Sequence, residues 1–551
     1  MSIGWPILYL AAMAFLPLVF STARSMSREK VRDRVFMKTV AKDYLRTLPS
    51  VALVSLPLAL FPQAARGYLL AMHLVFAWMV FGDVWHVHLF GARAGVNTWY
   101  SMFVTTKGEV AEYIRNNMTA AQWLLIAAVY LVPAAAIWLL ARPVAFGELQ
   151  LSVAGRDLSV SWRWIWAAAL ALLAVPLVRN CFKRGARHKQ GYMLNPFVSV
   201  FYHYYLYSRR YKLLLKQIAG HAAPPFEGIA SCLPAGTPQT VVVCIGESAN
   251  SMHHSYAGYS RRTNEFTDAL GDVVSVKGVR SQYAQTLPSL EKTITFATDA
   301  DPDALWSKGS IIDYFKDAGF KTFWLSNQYA LGEEGDTAIT AMAGHADESR
   351  CFNFSAMKGF ESASSGLDGT LVAELEKRLA DPAEKKAIFL HMIGSHSAYV
   401  NRYPSEFRHF TGAPAGKEHL SAAAKELLNT YDDSIRYTDW VVSRFVEALR
   451  SRGESAAESL IYFSDHGEDC YDTTDDKLLG HGQIANLPMT SVPLQVWVSP
   501  KMKALRPDLA ARLSHPKESG KLEDVVHTIL DLAGLSGPEF AIEKSLFGGA
   551  E

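Results

Sequence analysis

The pattern of apolar and polar positions changes character once, near residue 180. Before it, uncharged stretches at residues 3–20, 48–62, 68–86, 120–140 and 162–178 predict about five membrane spans. A span needs roughly 20 apolar residues, and the second and fifth stretches are short by that measure. The first stretch lacks a basic leader and a small-residue cleavage site, which predicts an anchor rather than a removed signal peptide. Asp83 and His86 close the third stretch, where water or headgroups are the expected surroundings. Beyond residue 220 the mixture is that of a globular domain. Apolar runs at 240–246, 321–326, 387–394, 460–464 and 492–499 have strand length. They alternate with helix-like runs at 287–297, 311–318, 371–379, 422–451 and 523–533. That alternation predicts an α/β, doubly wound sheet with helices on its faces.

The two regions are joined by residues 195–216, which interleave Phe201, Tyr202, Tyr204, Tyr205, Tyr207 and Tyr211 with Arg209, Arg210 and Lys212. Such a pattern suits a helix lying in the membrane interface, or equally an amphipathic helix packed on the globular domain. Pro224, Pro225, Pro234 and Pro238 then mark a linker. The expected organisation is a transmembrane domain at 1–180, an interfacial helix and linker at 181–238, and a catalytic candidate at 239–551.

Composition adds exclusions. The 551 residues carry a formal net charge of +1, so no global charge argues for a nucleic-acid partner. The five cysteines form no CxxC pair, which excludes a zinc knuckle, and their spacing assigns no disulfide among Cys232, Cys351 and Cys470. Local charge is more informative. Arg24, Arg28, Lys30, Arg32, Arg34, Lys38, Lys42 and Arg46 crowd the first loop, and Lys183, Arg184, Arg187 and Lys189 follow the last span. The positive-inside rule places both segments, and with them the C-terminal domain, in the cytoplasm.

Candidate chemistry sits at the ends of two strand-like runs. Gly246-Glu247-Ser248 closes one and Ser464-Asp465-His466-Gly467-Glu468 closes the other. Both runs read as strands buried on both faces of a parallel sheet, and ligands of such sheets bind beyond the strands' carboxyl ends. Glu247, Asp465 and His466 are thereby expected to converge on one ion, with donors that suit zinc or manganese. Thr286, in Thr286-Leu287-Pro288-Ser289, reads as the N-cap of a helix. A helix start also suits a phosphoryl group, and a metal beside a hydroxyl favours its alkoxide. On residue type alone the nucleophile remains open between Thr286, Ser248 and Ser289. His391, His396 and His481 lie at a strand end or in glycine loops on the same expected face, as ligands or phosphate contacts.

Taken in order, Gly246-Glu247-Ser248, Thr286-x-x-Ser289, Phe323-Trp324-Leu325-Ser326-Asn327-Gln328, His391-Met-Ile-Gly-Ser-His396 and Ser464-Asp465-His466-Gly467-Glu468 resemble the bacterial phosphoethanolamine transferases. Those are inner-membrane enzymes of the alkaline phosphatase/sulfatase superfamily, and the likeness is strongest to the branch that modifies lipopolysaccharide-core heptose. The resemblance implies Zn2+ (Mn2+ possible) held by Glu247, Thr286, Asp465 and His466, with Thr286 as nucleophile. It implies that His391, His396, His481 and Asn327 contact the substrate. It further implies phosphatidylethanolamine as donor, lipopolysaccharide or another envelope glycan as acceptor, and a periplasmic catalytic domain, against the charge count. No cysteines flank Thr286, a departure from the lipid A branch. A phosphoglycerol transferase is the alternative within the superfamily, and a non-catalytic membrane scaffold the alternative outside it. A formylglycine sulfatase is rejected, because Cys232-Leu233-Pro234-Ala235-Gly236 lacks the arginine and precedes the first strand.

Overall fold

A computed structural model describes residues 4–28, 34–90, 120–153, 156–181, 224–301, 304–329, 338–353, 366–475, 478–482 and 485–548, with seven isolated positions between 197 and 208. The segment 195–216, expected to form an interfacial helix, therefore lies largely outside the described residues, as do the basic residues 183–189. Two compact units are present.

The first unit contains the helices α1 (Gly4–Arg28), α2 (Arg34–Leu60), α3 (Ala65–Phe90), α4 (Ala120–Leu140) and α5 (Trp162–Cys181). Among the described residues, four segments are long and apolar enough to cross a membrane: Gly4–Ala23, Pro62–Val87, Gln122–Leu140 and Trp162–Cys181. The expected span at 48–62 corrects to the C-terminal half of α2, whose first half carries Lys38, Lys42, Asp43 and Arg46. Helix α2 packs along α5 and α1, and α3 along α1 and α4. Their shared core includes Leu10, Val51, Leu58, Leu69 and Phe76. In its middle, Tyr9 Oη lies 2.7 Å from His73 Nδ1, and His73 Nε2 lies 2.9 Å from the carbonyl of Tyr130. A carbonyl only accepts, so His73 carries its proton on Nε2 and accepts from Tyr9. Asp83 and His86 are buried in this unit rather than facing water. The antiparallel pair β1 (Glu148–Val153) and β2 (Arg156–Ser161) precedes α5.

The second unit is the α/β domain. Its elements are β3 (Gln239–Gly246), β4 (Val274–Val276), α6 (Thr286–Thr293), α7 (Ile311–Asp317), β5 (Lys321–Tyr329), β6 (Glu348–Asn353), α8 (Thr370–Leu379), β7 (Lys385–His391), α9 (Ala422–Arg450), β8 (Ala457–Ser464), β9 (Leu494–Val498) and α10 (Val525–Ala533). The seven-stranded sheet has the order β4-β9-β8-β3-β7-β5-β6. Strands β8, β3, β7, β5 and β6 run parallel, whereas β9 is antiparallel to both its neighbours, β8 and the edge strand β4, so that β9 alone is reversed in the sheet. The sheet is thus mixed, because β9 follows β8 through a loop and needs no crossover helix.

Helices cover both faces, which explains the uninterrupted apolar runs. Val241, Val243 and Ile245 of β3 pack into one core layer with Ile461 and Phe463. Val242 and Cys244 point the other way, into a layer with Leu460, Tyr462, Val441 and Phe445. In register, Gly246 lies opposite Ser464, and Ile245 and Ser326 lie opposite His391. The residues that follow these positions leave the sheet at one rim.

Candidate metal centre and nucleophile

That rim gathers the acidic motifs. Glu247 extends from β3 and Asp465-His466 from β8, and suitable ligand atoms of the three lie within 4.8 Å of one another. His466 Nε2 is 3.2 Å from Glu247 Oε1 and 3.5 Å from Asp465 Oδ2. Thr286 enters from α6. Its Oγ1 donates toward both Glu247 oxygens at 3.2 Å and lies 3.4 Å from His466 Nε2. The N-cap of α6 is Gln285, so Thr286 occupies the first helical position instead of the expected cap. The shift has a physical consequence: the hydroxyl has no capping bond to make and turns toward the acids. Ser248 and Ser289 have other work. Ser248 Oγ donates to Glu247 Oε1 at 2.9 Å, and Ser289 Oγ donates to the Asp465 carbonyl at 2.6 Å.

The surroundings fix these groups. Ser248 holds a left-handed backbone (φ 58°), stabilised by Tyr431, whose hydroxyl donates to the Ser248 carbonyl and accepts from the Asn250 N–H, both at 2.9 Å. Asp465 Oδ1 accepts from the N–H groups of Ser248 and His466. Its Oδ2 is buried and accepts no hydrogen bond from the described residues. His466 Nδ1 lies 3.0 Å from the Gly467 carbonyl, so it is the donor and Nε2 faces the acids.

Charge follows from this packing. Burial opposes it, yet the hydrogen bond and charge of His466 hold the Glu247 carboxyl well below its ordinary range. Burial, then the Glu247 charge, push Asp465 up to about 7. Against burial, the Asp465 and Glu247 carboxylates raise His466 to about 10. A buried orphan carboxylate oxygen, a second carboxylate, an imidazole nitrogen and a hydroxyl form a donor set that fits a divalent ion such as zinc.

The remaining expected contacts are placed unevenly. His481 lies against His466 with the rings tilted by 45° and their centroids 4.5 Å apart, and its Nδ1 bonds Glu468 Oε1 at 2.8 Å. His391 is buried edge-on to Trp324, and burial lowers it to about 4, so it is neutral near pH 7. His396 is half-buried in the loop that follows. Asn327 is fully buried, and its amide donates to Asp368 at 2.7 Å. Its neighbour Gln328, which sequence reasoning passed over, reaches Glu247 Oε2 at 3.3 Å. Alternation along a strand that faces both ways offered the only sequence signal for this difference.

The sulfatase family profile matches residues 239–535. The chain is 27% identical over 500 residues to phosphoethanolamine transferase EptC of Escherichia coli (strain K12), covering 87% of this chain and 82% of that protein. The zinc complex of the C-terminal periplasmic domain of Escherichia coli EptC superposes with a TM-score of 0.54 at 29% identity, covering 59% of this chain and 90% of that one. The integral membrane lipooligosaccharide phosphoethanolamine transferase A of Neisseria meningitidis matches over 98% of this chain and 97% of its own, with a TM-score of 0.68 at 19% identity, a likeness of fold. The chain belongs to the sulfatase family and, within the alkaline phosphatase/sulfatase superfamily, to the phosphoethanolamine transferases.

Proposed function

We propose that the protein transfers phosphoethanolamine from phosphatidylethanolamine to an envelope glycolipid or glycan, with lipopolysaccharide core or lipid A as the leading acceptors. The observation that carries this reading is the convergence of Thr286 Oγ1 on Glu247 and His466 at the first turn of α6. Glu247, Thr286, Asp465 and His466 would hold zinc, as the zinc complex of the Escherichia coli relative supports. A bound zinc supplies charge neutralisation for the phosphoryl oxygens and favours the deprotonated threonine.

Thr286 gives up its hydroxyl proton to solvent and attacks phosphorus in line, and the bond from phosphorus to the diacylglycerol oxygen breaks. The leaving oxygen takes a proton, for which His396 or His481 is the candidate donor. A phosphoethanolamine-threonine intermediate remains, and an acceptor oxygen then displaces Thr286 from phosphorus. The covalent step divides one difficult exchange between two lipids into two successive ones. At the α6 N-terminus the N–H groups of Thr286 and Leu287 are the ones that can donate to the phosphoryl oxygens during both, since Pro288 has none and Ser289 donates to Gln285. His391, His396, His481 and Asn327 are proposed to line or support the headgroup site. In the same reading, residues 1–180 anchor the chain in the inner membrane, 181–238 lie at its surface, and 239–551 catalyse in the periplasm.

Mass spectrometry of envelope glycolipids tests the assignment. Cells with the wild-type chain gain the phosphoethanolamine mass on an acceptor, and cells with Thr286→Ala do not. A phosphoglycerol mass instead would replace this reading by its alternative.

A further inference from the structure

We propose that Gln328 is a positioning residue for Glu247, one that holds a single oxygen of the carboxylate and leaves the other for the divalent ion. The inference rests on the metal assignment made above. It starts from an irregularity in β5. Ser326 pairs with Cys351 and Tyr329 with Asn353, so Asn327 and Gln328 together face a single residue of β6. Such a bulge re-aims side chains next to sites. Here Asn327 turns into the fold toward Asp368, and Gln328 turns to the rim.

The Gln328 side-chain nitrogen has two partners, Glu247 Oε2 at 3.3 Å and the Met392 carbonyl at 2.7 Å. Both are acceptors, so the amide orientation is fixed by chemistry: the NH2 group, not the oxygen, must face them. The other carboxylate oxygen, Oε1, faces Ser248 Oγ at 2.9 Å and His466 Nε2 at 3.2 Å. Thr286 Oγ1 lies 3.2 Å from each of the two, so what distinguishes them is Gln328 on Oε2 against Ser248 and His466 on Oε1.

The same amide couples Glu247 to the loop between His391 and His396. That loop also grips the Glu247 main chain, because the Ser395 N–H donates to the Glu247 carbonyl at 2.9 Å. Partners of this kind, which orient a ligand without touching the metal, typically change metal affinity by about 10- to 100-fold.

The test uses Gln328→Met, which keeps volume and removes both N–H donors, with Gln328→Ala beside it. Zinc affinity of the purified full-length protein is titrated against a competing chelator, at a temperature where circular dichroism shows each variant folded. Both variants are expected to lose zinc affinity by about tenfold or more relative to wild type. A smaller loss in Gln328→Met overturns the proposal, and a lowered melting temperature with zinc affinity retained assigns Gln328 to loop tethering alone. Because the titration contains neither donor nor acceptor, its outcome is independent of which headgroup the enzyme transfers.

Discussion

Glu247 and His466 carry opposite charge in a closed pocket, and that pairing decides how the site responds to acid. An imidazole binds a metal only when neutral, and a carboxylate only when ionised. His466, raised to about 10, keeps its proton near pH 7, and Asp465, raised to about 7, takes one up just below neutrality. Zinc entering the site must release both. The sign is therefore fixed: affinity rises with pH, and most steeply below Asp465's value. Competition titrations are expected to show affinity rising with pH, more steeply at about pH 6 than at about pH 8.5. A flat profile would mean that the ion binds elsewhere. Residue types alone come close to this site. Glu247, Asp465, His466 and Thr286 were legible because each follows an apolar run or opens a helical one. Gln328 was less so, because alternation sets it apart from Asn327 but does not reveal the bulge in β5 that aims it. Asn327, expected as a substrate contact, bonds the carboxylate of Asp368, which accepts also from the N–H groups of Ile393 and Gly394.

The elements matter through how their ends interlock. Gly394, between β7 and the half-buried His396, has φ 51°, and a Cβ there would lie 2.6 Å from the Glu247 carbonyl oxygen and 2.7 Å from its nitrogen. Both neighbours are main chain of a central strand end, so neither yields cheaply. Gly394→Ala is expected to lower stability by about 1–3 kcal/mol from the backbone strain alone. It is also expected to weaken zinc binding, because the clash falls on the residue that carries a ligand. Denaturant unfolding checks the first and chelator competition the second, and a variant with both unchanged would show that the loop does not brace Glu247. Alternation of strand and helix was readable from period and length, since every central parallel strand of this sheet is buried on both faces. Direction was not: 492–499 has the same apolar run as its neighbours, yet β9 is antiparallel. The start of α6 was off by one residue because Thr is a good cap by type, while the backbone places Gln285 there. The second membrane stretch differs for another reason. Its apolar residues belong to a 27-residue helix that starts in a basic sequence.

At the scale of the whole chain, two arguments about topology collide. The positive-inside rule counts lysines and arginines near span ends and assigns them to the cytoplasm. Here Lys38, Lys42 and Arg46 are not in a loop but on the first half of α2, and Arg46 pairs with Asp43 at 3.3 Å. A basic helical face of this kind is also attracted to anionic headgroups, on either side of a membrane that presents them. The rule counts charges without asking what they touch, so it weighs less here than the number suggests. The proposed chemistry pulls the other way, because its donor and acceptors are envelope lipids and glycans. Cys232 gives a direct reading: it is exposed, unpaired, and precedes β3 of the catalytic unit. A membrane-impermeant maleimide is expected to label it in intact cells, with Cys232→Ser removing that share of the label. Labelling that requires lysis would place the catalytic unit in the cytoplasm. Thr286 would then face a different pool of lipids, and the envelope acceptors would be out of its reach.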